Sequence, residues 1–220
     1  MSDIKFECEI NGQKANFILK QEDINIQRLC DIQYHKSYVQ AMKDGLLPRA
    51  SLEQLMKEKE IWTSVEEDKL HELQTELNGL VIKLESNKNL TEGMKIAQRI
   101  ANLRSAVVLL YEARSSVFQN SCEFFADQVR REAYLAYATH AENGDKAFKN
   151  YEDFITQRDS PVALGAMQAL VRFISNEFQK TLDQLPENKV MNQPAEQLVT
   201  EHKVVVSKPK RKRKAVEVST

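Results

Sequence analysis

The amino-acid sequence predicts a mainly α protein: an N-terminal β-hairpin, then a helical bundle containing an antiparallel, coiled-coil-like helix pair, then a disordered basic C-terminal tail. Three observations carry this. Apolar residues recur at three- and four-residue steps along most of the 220 residues. Glycine (6) and proline (5) are scarce while charged residues reach 29%, a balance that suits long helices better than a strand-rich sandwich. The one stretch of clean two-residue alternation lies at the start. With 42% apolar residues, the chain can bury one substantial core, or a smaller core plus a projecting helical element.

Five segments follow: a hairpin over 1–22, a helix-turn-helix unit over 23–62, a helical hairpin over 63–118, C-terminal helices over 119–185 and the tail over 186–220. Residues 4–10 and 15–19 alternate around Asn11-Gly12, a pair that readily adopts the positive φ angles of a two-residue turn. That turn places Ile4, Phe6 and Cys8 with Phe17 and Leu19 on one apolar face, which a one-residue slip would destroy. An isolated hairpin is marginal in water, so this face should lie against helices, and its outer edges could accept a strand.

Asp23 suits an N-cap for a helix to Asp44 with Ile26, Leu29, Cys30, Tyr34, Tyr38 and Met42 on its apolar stripe, and Gly45 suits the left-handed stop. A short helix bearing Leu52, Leu55 and Met56 follows, closed by Trp62 as a packing anchor. Thr63-Ser64 before Glu66-Glu67 offers either of two overlapping capping boxes. Leu70, Leu73, Leu77, Leu80 and Leu84 then recur with heptad spacing, a seam for a partner helix. Thr91 can cap the returning helix, with Met94, Ala97, Ile100, Ala101, Val107, Val108, Leu110 and Tyr111 on its stripe. With fewer than three heptads in the first arm, intramolecular pairing is favoured over a long intermolecular coiled coil. Further helices are expected over 122–141, over 145–156 and from Pro161 to about Leu185, the last with Leu164, Met167, Leu170, Val171, Ile174, Phe178 and Leu182 as a continuous apolar face.

No catalytic constellation can be assembled. Cys30 and His35 are the nearest pair of metal-ligand types, but five residues apart on a helix they diverge, and no second pair completes a set. No nucleophile signature flanks any serine or cysteine, and the scattered glycines build no phosphate loop. Glu66-Glu67-Asp68 is explained by the charge preference of a helix start. The expectation is a non-enzyme with no cofactor and no metal. Three widely spaced cysteines, Cys8, Cys30 and Cys122, point to a reducing compartment, and neither a secretion signal nor a membrane span is expected.

The net charge of −1 hides an asymmetry: from Pro186 onward there are eight Lys/Arg against four Asp/Glu, a tail near +4 on a body near −5. Lys208, Lys210, Arg211, Lys212, Arg213 and Lys214 put six positive charges into seven residues. Such a run binds polyanions by releasing counterions, without sequence readout. An acidic protein fits it as well as nucleic acid does, and a nuclear-import role or no specific role shares the remainder. No aromatic residue interleaves it, so base stacking is not supported.

The stretch Tyr34–Leu77, with Tyr38-Val39-Gln40-Ala41-Met42-Lys43-Asp44-Gly45-Leu46-Leu47-Pro48-Arg49, then Glu60-Ile61-Trp62-Thr63 and the charged heptad helix, resembles a pattern in virion structural and assembly proteins of large tailed bacteriophages. The resemblance covers the N-terminal half and carries over no site residues. It implies a tail-associated structural or chaperone-like factor in the host cytoplasm or the particle, binding another assembly protein or itself. The alternative is a helical adaptor that touches nucleic acid through the basic tail.

Overall fold

The computed structural model describes residues 3–192. It is mainly α with an N-terminal hairpin, as predicted. Strands β1 (Ile4–Ile10) and β2 (Gln13–Leu19) pair antiparallel in the expected register, Ile4 opposite Leu19 and Phe6 opposite Phe17. Asn11 (φ 52°) and Gly12 (φ 79°) both take positive φ, which matches the right-handed twist of the strands. Nothing stands within 4 Å of where a Gly12 Cβ would be, so only the backbone resists a side chain there. Gly12→Val is therefore expected to lower stability by about 1–2 kcal/mol, and Gly12→Asn by clearly less, in thermal melts. Equal melting temperatures for Val and wild type would contradict this account of the turn.

Helix α1 (Ile24–Lys43) begins where the Asp23 carboxylate accepts the Asn25 and Ile26 amides, each at 2.8 Å. It ends at Gly45 (φ 89°), where the Leu46 amide bonds Ala41 O at 3.0 Å and the Gly45 amide bonds Met42 O at 3.1 Å, the paired closure of a Schellman stop. Helix α2 (Arg49–Glu58) packs Leu52 and Met56 with Phe118 and Trp62. Helix α3 (Ser64–Ser86) opens on the capping box formed by Thr63 and Glu66, which resolves the two possible boxes in favour of the first. Helix α4 (Leu90–Ser116) returns beside it, capped by Asn89 rather than Thr91: the Asn89 side chain accepts the Glu92 amide at 3.1 Å.

A 3-10 turn (Val117–Asn120) leads into α5 (Cys122–Ala138), which packs along α1 and forms the centre of the main core. The helix expected to reach Ala141 stops at Ala138, and Thr139–Ala141 become β3, the third strand of an antiparallel sheet ordered β1-β2-β3. Their backbone serves the otherwise open side of β2, with Phe17 opposite Ala141 and Leu19 opposite Thr139. The helix expected over 145–156 shrinks to α6 (Tyr151–Thr156), because residues 145–147 bond the far side of β3: Ala147 N to Thr139 O at 3.0 Å and Ala141 N to Asp145 O at 2.8 Å. Helix α7 (Pro161–Asp183) then lies across the apolar face of the hairpin.

The tail boundary also moves. Residues expected to be disordered from Pro186 onward instead begin with α8 (Pro186–Met191), which closes over the α3/α4 pair. Val190 and Met191 join the cluster of Leu77, Leu84, Ile96 and Ile100. Buried Gly93 makes room for it, with Leu84 and Val190 carbons each 3.8 Å from where its Cβ would stand. Glu187 is 1% exposed and pairs with Arg104 of α4.

Candidate interaction surface

The seam lies inside the molecule: Leu70, Leu77 and Leu84 are buried, with Leu73 and Leu80 half-buried against α4 and α8. The hairpin face is likewise consumed. Phe17 and Leu19 are buried; Ile4 and Phe6 pack against the main core, and Cys8 is half-buried. Phe6 stacks on Phe17 with ring centroids 5.7 Å apart. The basic run Lys208, Lys210, Arg211, Lys212, Arg213 and Lys214 lies outside the described residues.

Among the described residues, no three His, Cys, Asp or Glu side chains are placed to share a metal ion. Cys30 is buried while His35 is exposed, so the two diverge. Burial, with Glu22 nearby, pushes the Cys30 thiol up to about 12, and burial also raises Cys8 and Cys122. A raised thiol carries little thiolate near neutrality and is a poor nucleophile. His140 is buried with its Nδ1 2.9 Å from the carbonyl oxygen of Ala138, the last residue of α5. Among the described residues, no helix is long and apolar enough to cross a membrane.

What the fold leaves outside is apolar. Of the continuous face expected on α7, Met167 and Leu170 pack against the main core and Leu182 is half-buried, but the remainder does not form the helix's fully buried side. That side is Ala163, Ala166 and Ala169, with Gly165 pressed against the Phe6 ring so closely that a Cβ would stand 3.0 Å from it. Small residues let the helix axis approach the sheet, and four of the large side chains then point away. Leu164 is 42% exposed, Val171 57%, Ile174 52% and Phe178 63%. These four recur at steps of seven, three and four residues, a coiled-coil spacing running about 21 Å along one side of the helix. Isolated exposed apolar residues are ordinary, but a stripe of them on one helix is characteristic of a binding face. At its end the Glu177–Lys180 ion pair, 2.7 Å long, supplies a polar rim.

Helix α1 departs from expectation in the same way. Ile26, Cys30, Gln33 and Ala41 are buried, whereas Leu29 and Met42 of the predicted stripe are exposed, together with Ile32 and Val39. On α4, Val108 and Tyr111 also face outward while Ile96 and Leu103 take the interior. The missed signal was amphipathicity of a second kind. A helix with a small-residue face and a large-residue face buries the small one wherever close approach is required, and α7 carries Ala, Gly, Ala and Ala at 163, 165, 166 and 169. Comparison with protein-family models, with characterised proteins and with solved structures gave no match.

Proposed function

We propose that this chain is a non-enzymatic protein-interaction factor that holds an amphipathic helix of another protein against the α7 stripe. One observation carries the reading: Leu164, Val171, Ile174 and Phe178 form a heptad-spaced apolar seam left exposed among the described residues. Such a seam is stabilised by a second helix presenting the same spacing, through knobs-into-holes packing. The process we propose is virion assembly in a tailed phage, with a tail-associated or chaperone-like role; this rests on the Tyr34–Leu77 resemblance. The heptad leucines of α3 cannot serve this purpose, since they are spent on α4 and α8.

The test is Ile174→Glu/Phe178→Glu in the full chain. Both residues are more than half exposed, so the melting temperature should change little, with each substitution within about 0.5 kcal/mol. Affinity purification from producing cells is expected to yield a stoichiometric complex with a helical assembly component for the wild type and none for the variant. Retention of the same partner by the variant removes α7 as the docking face. Monomeric sedimentation at micromolar concentration, with no partner captured, removes the function.

A further inference from the structure

The two sides of the sheet are not alike. Beyond β3, residues 145–147 supply hydrogen bonds, whereas among the described residues no backbone hydrogen bond reaches β1 from its outer side. A free edge is a template for another strand, and folded proteins ordinarily blunt it with a proline, a bulge or a charge on its core-facing side. β1 carries none of these. Its seven residues pair with β2 without a bulge, and its core-facing positions are Ile4, Phe6, Cys8 and Ile10, all only half-buried.

The register identifies the groups left over. Across a two-residue loop the closing pair, Ile10 and Gln13, exchanges both bonds, and such pairs then alternate along the ladder. Ile4, Phe6, Cys8 and Ile10 therefore direct their amides and carbonyls to β2, while those of Lys5, Glu7 and Glu9 point outward. An antiparallel newcomer must set its own outward-pointing residues opposite these three. A groove of about 470 Å³ between β1 and α7 leaves room along the edge.

The strand is its own complement. With Glu7 opposite the second copy's Glu7, all seven residues find partners: Lys5 faces Glu9, Phe6 faces Cys8 and Ile4 faces Ile10, each pair occurring twice. Lys5 and Glu9 are exposed on the same face of the sheet and make no ion pair among the described residues. Glu9 lies opposite Lys14 in the hairpin, but Lys14 bonds Glu7 at 2.7 Å instead and so offsets the like charges that meet at the centre. Sliding the copies by two residues loses the match, setting Glu9 against Asp3 in one direction and Glu7 against Glu9 in the other.

The chain's own Val216-Glu217-Val218 is a weaker candidate. Laid antiparallel, it sets Glu217 against Lys5 and Arg213 against Glu9, but it then turns Lys214 and Lys212 onto the apolar face beside Cys8 and Ile10. We infer that two copies of this chain join edge to edge through β1, about a two-fold axis at Glu7, into one continuous six-stranded antiparallel sheet. The charged rows of both copies then lie on one face and both α7 helices on the other. The α7 stripe is not used, so this surface stands or falls independently of it.

The test is sedimentation of the full chain at low salt over about 1–100 µM, since an interface of this small class is weak. The wild type is expected to dimerise. Lys5→Glu and Glu9→Lys each set like charges opposite one another and should weaken self-association at least about tenfold, while an equimolar mixture of the two variants should recover a dimer. Both positions are exposed, and thermal melts confirm that each variant is folded. Register is read by oxidation in a Cys8→Ser background. Glu7→Cys should form an intermolecular disulfide, because hydrogen-bonded partners stand about 5.5 Å apart at Cα. Lys5→Cys and Glu9→Cys should not, because each lies about 14 Å along the strand from its own copy. Ile174→Glu/Phe178→Glu should leave the dimer intact. A chain that stays monomeric at the highest concentration overturns the proposal, as does a mixture that fails to pair. It is overturned equally if the α7 variant alone abolishes the dimer, or if a dimer forms only once Glu217→Lys is introduced, which gives the edge to the tail.

Discussion

Leu77→Asp is expected to abolish cooperative packing of the α3/α4/α8 unit. Leu77 is buried between Leu73, Leu80 and the facing Ile96 and Ile100, so the substitution removes a packed side chain and leaves a carboxylate with no cation in the cluster. Losing the packing alone costs about 2–5 kcal/mol, and an unpaired buried charge adds to it. Against a usual total of about 5–15 kcal/mol, that is enough to unfold the unit. The control is Glu76→Ala one position away. Glu76 pairs with Arg99 at 2.9 Å on an exposed face, and its loss should cost less than about 1 kcal/mol. Thermal melts by circular dichroism distinguish the two; equal small effects would show that the seam is not a core.

Arg104→Ala should have the second largest effect. The Glu187 side chain is only 2% exposed, and Arg104 is the one cation paired with it among the described residues. Removing the guanidinium strands a carboxylate beneath α8, at a cost of about 3 kcal/mol, moderated because Arg104 itself is about a third exposed. The local readout is amide exchange over 186–192, which should accelerate before the rest of the chain loosens. Replacing both partners, Arg104→Met with Glu187→Leu, should recover most of the stability, since an apolar pair carries no desolvation cost. If the double variant is as unstable as Arg104→Ala alone, a stranded charge is not the cause.

The elements legible in the sequence were those set by local chemistry. Asn11-Gly12 fixed the register, Asp23 and Gly45 bounded α1, Thr63 with Glu66 began α3, and heptad leucines located the helix pair. Each depends on residues a few positions apart, so its signature is local. The elements that escaped depend on residues far away. Thr139–Ala141 read as helix because the preceding pattern is helical; they become a strand only because β2 presents an open edge. Pro186–Met191 read as tail because six residues carry no period of their own, and the partners that order them, Arg104 and Leu84, belong to other helices. The candidate surface was half visible. The apolar residues of α7 were identified, but which of its two faces turns inward was decided by how closely Gly165 lets the helix approach Phe6.

The pairing of β2 with β3 also dictates an order of events during synthesis. The hairpin is complete by Leu19, but the strand that closes its sheet ends at Ala141 and the helix that covers its apolar face starts at Pro161. At ordinary translation rates that interval is on the order of ten seconds. Throughout it, Phe6, Phe17 and Leu19 emerge without the helix that covers them, so the first element of the chain to be made waits longest for its shield from water.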